Sequence, residues 1–217
     1  MFELTLGRNG KPPAEILFIG AHCDDIEIGC GGGVLRMARE YPHATVRWLV
    51  LTSDERRASE AARSAELFLA DVENKIVTIK DFRDGYLFHM GAEIKDYLEA
   101  VKMTVNPDVV FTHYGHDRHQ DHRLLSELTW NTFRDHFILE YEIPKYDGGL
   151  ESPNVFFPLD ERDYQRKVDI VLESFDSQRD KRWFSRETFL GLMRLRGMEC
   201  NAPSGYAEAF YCRKAVL

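Results

Sequence analysis

Several things are scarce in this 217-residue chain, and each shortage excludes a class of function. Cysteine is one: Cys23, Cys30, Cys200 and Cys212 are the whole complement, and no two form a C-x-x-C pair. Thiols this few and this scattered do not frame a small disulfide-rich fold, and they fit a reduced, cytoplasmic setting. Long apolar runs are missing too. Stretches such as Ile16 to Gly20 and Trp48 to Leu51 fall far short of the roughly 20 residues that span a bilayer. The first residues lack a basic stretch followed by a long apolar one, so no secretory leader is expected. Positive charge is in deficit, with 28 Lys and Arg against 36 Asp and Glu. The net charge of −8 repels a phosphate backbone, so nucleic acid is not an expected partner. Neither a fixed-period repeat nor a low-complexity tract interrupts the chain.

What is present suits an ordinary folded domain. Hydrophobic residues make up 44% and charged residues 29%, enough to bury one sizeable core. A single domain over 1–217 is expected, since no linker composition divides the chain.

The first half alternates between two periodicities. Short apolar runs at Glu15 to Ala21, Thr45 to Thr52, Lys75 to Ile79 and Asp108 to His113 read as buried strands. Between them, Gly29 to Glu40, Ala58 to Ala70 and Glu93 to Val105 read as helices, and another is expected from about Gln120 to Phe137. Near-continuous apolar strands alternating with helices predict an α/β, Rossmann-like fold, with a mostly parallel sheet covered on both faces. The second half is less regular. Phe137 to Ile143 is a candidate strand, and Tyr141 to Pro158 holds a long loop. Asp160 to Phe175 and Arg186 to Arg196 are candidate helices, and Tyr206 to Cys212 a closing strand.

In open α/β sheets, ligands bind beyond the carboxyl ends of the strands. Two polar clusters fall at such ends. One is His22-Cys23-Asp24-Asp25-Ile26-Glu27, after the first strand. The other runs from His113 to His122, after the fourth, and holds four of the chain's eight histidines, where an even spread would place fewer than one. A catalytic zinc takes three protein ligands from His, Asp, Glu and Cys, and leaves a position open for water. His22 and Asp25 suit two of these, one histidine of the second cluster suits the third, and Asp24 is left beside the metal as a base. Singly, each cluster has an ordinary explanation: a strand-end histidine on the surface, or Asp24 and Asp25 capping a helix. Their joint placement favours the functional one. Gly29, Gly31, Gly32 and Gly33 fit neither G-x-G-x-x-G nor the P-loop, so close helix packing is their expected role and a nucleotide-binding module loses its support.

At these residues the chain resembles the LmbE/PIG-L-like family of N-acetylglucosaminyl deacetylases. That family shows A-H-P-D-D-x-E near the N-terminus and H-P-D-H in mid-chain. Here they read A-H-C-D-D-I-E and H-Q-D-H, with Cys23 and Gln120 in place of the prolines. The resemblance extends to Ser53-Asp54-Glu55-Arg56, to Arg63 and Glu66, to Asp84-Gly85-Tyr86-Leu87, to Asp117-Arg118, and to Arg196-Gly197 with Tyr206 to Phe210 in the tail.

The resemblance implies His22, Asp25 and His122 as ligands of Zn2+, although other divalent ions suit a His2Asp set. It implies Asp24 as general base, a protonated His119 as electrophilic partner of the carbonyl oxygen, Asp121 as the residue that orients His119, and Glu27 behind the ligands. Arg56, Asp84 and Arg118 are the candidate substrate contacts. The implied activity is removal of acetyl from an N-acetylated amino sugar or its conjugate, releasing acetate and a free amine. The main rival is a zinc amidohydrolase for a non-sugar N-acyl compound. The family's bacterial branch also implies a homo-oligomer and a small-molecule or glycoconjugate substrate.

Overall fold

The computed structural model describes residues 5–7 and 10–216. The described residues form one seven-stranded sheet in the order β3-β2-β1-β4-β5-β7-β6. Its strands are β1 (Glu15–Gly20), β2 (Thr45–Thr52), β3 (Asn74–Phe82), β4 (Val109–His113), β5 (Phe137–Tyr141), β6 (Val155–Pro158) and β7 (Ala207–Tyr211). The first five run parallel, while β7 lies antiparallel to both β5 and β6. The α/β, Rossmann-like, mostly parallel architecture expected from the alternation is therefore the one observed. β6 was not expected as a strand: Val155–Pro158 falls inside the predicted loop and is ordered by pairing with β7, more than 45 residues further along the chain.

Among the described residues six α-helices cover the sheet: α1 (Asp25–Glu40), α2 (Glu55–Phe68), α3 (Gly91–Lys102), α4 (Gln120–Thr132), α5 (Glu161–Ser174) and α6 (Arg186–Glu199). One core packs α1, α2, α5 and α6 on Ile16, Phe18, Trp48 and Phe111, and the other packs α3 and α4 on Leu17, Ile19, Leu49 and Val110. Alternate residues of β1 thus enter opposite cores, as the period-2 geometry of a strand buried on both faces requires.

Helix α1 starts earlier than its apolar pattern suggested, at Asp25, and breaks at Cys30 (φ −144°, ψ 17°). A break strands peptide groups that an unbroken helix would pair internally. Lys167 Nζ donates to Ile28 O at 2.7 Å on one side, while on the other Glu208 accepts from Gly32 N at 2.8 Å and Gly33 N at 2.7 Å. Lys167 and Glu208 also pair with each other at 2.6 Å. The glycines have the packing role expected of them: a Cβ on Gly29 would stand 2.2 Å from the buried Tyr141 ring, and one on Gly32 2.5 Å from Leu159. This close seating fixes where the first turn of α1, and with it Asp25, meets the sheet.

Candidate metal centre and active site

The strand order reverses between β1 and β4, which lie side by side with Phe18 opposite Phe111. Their carboxyl ends open on the crevice where ligands of doubly wound folds bind. β1 leads through Ala21 into α1, and β4 leads through a short loop into α4. Residues about 100 positions apart in sequence therefore meet at one point.

Three side chains converge there. His22 Nδ1 lies 3.1 Å from Asp25 Oδ2 and 3.1 Å from His122 Nε2, and His122 Nε2 lies 3.4 Å from Asp25 Oδ1. Donor atoms about 2.0–2.1 Å from a tetrahedral ion stand about 3.3 Å from one another, so these spacings suit a zinc face, with Asp25 meeting the triangle through Oδ2 on the His22 side and Oδ1 on the His122 side. All three residues are buried. Two neutral imidazoles and a carboxylate form a donor set with one negative charge, which suits a divalent ion. Burial pushes Asp25 up, but the rings of His122, His113 and His22 outweigh it and hold its carboxyl well below the usual range. Burial works against charge on His22 too, yet Asp25, helped by Asp121 and Asp84, raises the imidazole well above its ordinary value.

Asp117 fixes the His122 ring from behind. Its Oδ2 stands 3.0 Å from His122 Nδ1 and accepts from Lys145 Nζ at 2.5 Å. Asp117 is buried, and despite that burial His122 and Lys145 hold its carboxyl well below the usual range. A carboxylate behind a histidine sets the tautomer and aims the other nitrogen. His113 belongs to the same cluster, with its ring stacked on His122 at a centroid distance of 3.8 Å and its Nε2 3.2 Å from Asp25. That Nε2 accepts the Ala21 N–H at 3.0 Å, so its lone pair is already engaged. Burial, reinforced by His122, lowers the His113 imidazole to about 4. Neither Asp117 nor His113 was assigned a role from sequence, though both stand inside the histidine-rich stretch.

Asp24 occupies the N-cap position of α1 but makes no side-chain cap bond, so the ordinary explanation for it fails. Its Oδ1 instead faces Arg57 Nη2 at 2.9 Å. Burial raises the Asp24 carboxyl, and Arg57 restrains the rise. Arg56, the expected substrate contact, lies along the outside of α2 near Glu60 with about two thirds of its side chain exposed. Its neighbour Arg57 turns inward, 16% exposed. Glu27 is wholly buried beneath the first turn of α1. Its carboxyl oxygens have no hydrogen-bond partner among the described residues, and burial pushes its pKa well up.

On the other wall, the His119 ring lies 4.9 Å from His22 and 4.6 Å from His122, centroid to centroid. Its Nδ1 accepts the Asp121 N–H at 3.3 Å, which leaves Nε2 to carry the proton of the neutral ring. Burial, then His122 and His22, lower the His119 imidazole below its ordinary value. The Asp121 carboxylate does not reach His119. Its Oδ2 accepts from Gly85 N at 2.8 Å and lies 3.4 Å from His22 Nε2. Asp84 Oδ1 stands 3.2 Å from the same His22 nitrogen with 60% of its side chain exposed, at the mouth of the crevice. Arg118 is exposed and packs against Gly149.

Residues 17–133, which hold both clusters, match the PIG-L family, described as GlcNAc-PI de-N-acetylase. The chain belongs to that family. It is 30% identical over 140 residues to the uncharacterized deacetylase YaiS of Escherichia coli K12, covering 59% of this chain and 74% of that protein. Among solved structures it is similar to the N,N'-diacetylchitobiose deacetylase of Pyrococcus horikoshii (TM-score 0.67, 19% identity, 92% of this chain and 84% of that one). It is also similar to GalB, the 4-carboxy-2-hydroxymuconate hydratase of Pseudomonas putida KT2440 (TM-score 0.72, 16% identity, 94% and 97% covered). At such identities the two structures show a shared fold, and one of them is a hydratase. The deacetylase assignment therefore rests on the family match and not on the architecture.

Proposed function

We propose that this chain is a zinc-dependent deacetylase of an N-acetylated amino sugar or its conjugate, acting as one domain over 1–217. The observation that carries the reading is the convergence of His22 Nδ1, Asp25 and His122 Nε2 within 3.1–3.4 Å at the carboxyl ends of β1 and β4. These three would hold the ion, with Asp117 and Glu27 behind them. When bound, a divalent ion there supplies Lewis acidity, which acidifies water and polarises a carbonyl.

The chain's own residues do the rest. Asp24, free of capping duty and raised by burial, takes a proton from the attacking water. The neutral His119 ring, its Nδ1 engaged by the Asp121 N–H, donates from Nε2 to the acetyl oxygen as negative charge develops there. Asp24 then returns its proton to the departing amine nitrogen as the C–N bond breaks, giving acetate and a free amine. Asp84, at the mouth, accepts hydrogen bonds from sugar hydroxyls. Arg57 holds Asp24, while Arg56 and Arg118, both exposed, are left for the outer part of a conjugate.

Acetate and free amine released from a series of N-acetylated sugars and non-sugar N-acetyl amines test the reading. Turnover confined to the sugars supports it, and turnover confined to the non-sugar amines replaces it with the amidohydrolase. No helix among the described residues is long and apolar enough to cross a membrane, so a lipid-linked substrate would have to be met at a membrane surface.

A further inference from the structure

The first turn of α4 grips a second loop besides the metal cluster. Gly85, between β3 and α3, is held on both of its peptide groups. Its N–H donates to Asp121 Oδ2 at 2.8 Å, and its C=O accepts from Gln120 Nε2 at 2.6 Å. Gly85 has φ +77°, a left-handed conformation that glycine adopts at little cost. Directly before it stands Asp84, which reaches back to His22 Nε2 at 3.2 Å. Most of the Asp84 side chain is exposed, so its backbone, more than its surroundings, decides where it points. Gln120 occupies the position that is proline in the H-P-D-H form of the motif. Proline carries no side-chain donor, so this half of the grip comes from the residue by which this chain departs from the motif.

We propose that Gln120 is a positioning residue: by holding Gly85 O it keeps Asp84 facing the His22 side of the crevice, and so sets affinity for the sugar and not the rate of the chemical step. The proposal rests on the deacetylase reading, in which Asp84 takes sugar hydroxyls. Proline is also the substitution best suited to a test. Gln120 is the first residue of α4, where proline is favoured and no intrahelical N–H bond is lost. His119 before it has φ −72° and ψ 127°, the extended conformation a residue preceding proline requires. Q120P therefore removes the donor while keeping the helix. Q120E keeps the length of the side chain but presents acceptors to Gly85 O, and Q120K restores a donor.

The experiment measures, for the full chain with zinc, metal content, amide hydrogen exchange over 84–88, and the kinetics of deacetylating methyl N-acetylglucosaminide. One hydrogen bond of ordinary net strength corresponds to about 2–12-fold. Q120P and Q120E are expected to exchange faster over 84–88 and to raise KM by a factor in that range. Metal content should not change, kcat should stay within about twofold, and Q120K should return KM to near the parent value. Unchanged exchange overturns the proposal, and so does faster exchange with unchanged KM, or a fall in kcat alone. A parent that releases no acetate from any N-acetylated sugar sinks the deacetylase reading instead. The exchange data then decide whether Gln120 holds the loop at all.

Discussion

His122 Nδ1 and Asp117 Oδ2 stand 3.0 Å apart, and through that contact the opposite nitrogen of the ring is turned toward His22 and Asp25. A neutral imidazole carries one proton. With that proton shared to Asp117 on Nδ1, Nε2 presents a lone pair to the centre of the cluster. Lys145 bonds the same carboxylate oxygen and keeps it charged.

Asp117→Asn tests this arrangement. The amide keeps the shape but accepts from His122 more weakly and leaves Lys145 without its ion pair. Zinc affinity, followed by competition with a chromophoric chelator, is expected to fall about 10–100-fold, the usual cost of losing a carboxylate behind a metal histidine. Affinity equal to the parent's would show that Asp117 does not shape the centre.

Asp24→Asn separates metal binding from chemistry. Asp24 pairs with Arg57 and makes no contact with the three ligands among the described hydrogen bonds and ion pairs, so zinc content measured on the purified variant should match the parent. Acetate release should fall by about 10²–10⁴-fold, the loss typical of removing a general base. Full activity in the variant would assign Asp24 to structure.

Asp84→Ala removes a group at the mouth that touches His22 but lies outside the triangle. Steady-state kinetics on the zinc-saturated variant should show kcat/KM on sugar substrates falling through KM, since binding is lost and the chemical step is not. Unchanged kcat/KM across several N-acetylated sugars would take Asp84 out of the site.

Glu208→Ala tests the buried support under α1. It strands the Gly32 and Gly33 N–H groups in the core and leaves Lys167 Nζ with Ile28 O but without its carboxylate partner. Breaking a buried pair by removing one partner costs about 3–5 kcal/mol. The urea midpoint of the metal-free protein should drop accordingly, and a midpoint unchanged from the parent would mean that water replaces the carboxylate without cost.

How much of this was legible in sequence depends on whether the deciding forces were local. β1, β2 and β4 were readable because parallel strands buried on both faces are largely apolar, as EILFIG, TVRWLVLT and VVFTH are apart from their ends and Arg47. β6 was not, since VFFP is ordered only by β7, whose pairing is non-local and leaves no periodic trace in four residues. In the site, the crowding of metal-binding side chains at two strand ends pointed to His22, Asp25 and one histidine of the second cluster, and only the resemblance singled out His122, whose Nε2 stands 3.1 Å from His22 Nδ1 and 3.4 Å from Asp25 Oδ1. The choice between Arg56 and Arg57 was not legible. One step along a helix turns a side chain by about 100°, and the packing of α2 decides which arginine faces inward. Asp117 was legible in principle, as a carboxylate in the histidine-rich stretch. The hydrogen bonds of Asp121 to Gly85 and of Gln120 to the same residue were not, because they depend on a loop 35–36 positions away.

The measurement that bears most directly on the whole account is acetate release from an N-acetylglucosamine derivative by one preparation in three states: zinc-loaded, stripped by chelator, and reloaded. Acetate and free amine are expected in equal amounts from the loaded protein, none above background after stripping, and recovery on reloading, with His122→Ala inactive in all three. Acetate release that survives stripping, or that His122→Ala retains, would contradict that expectation.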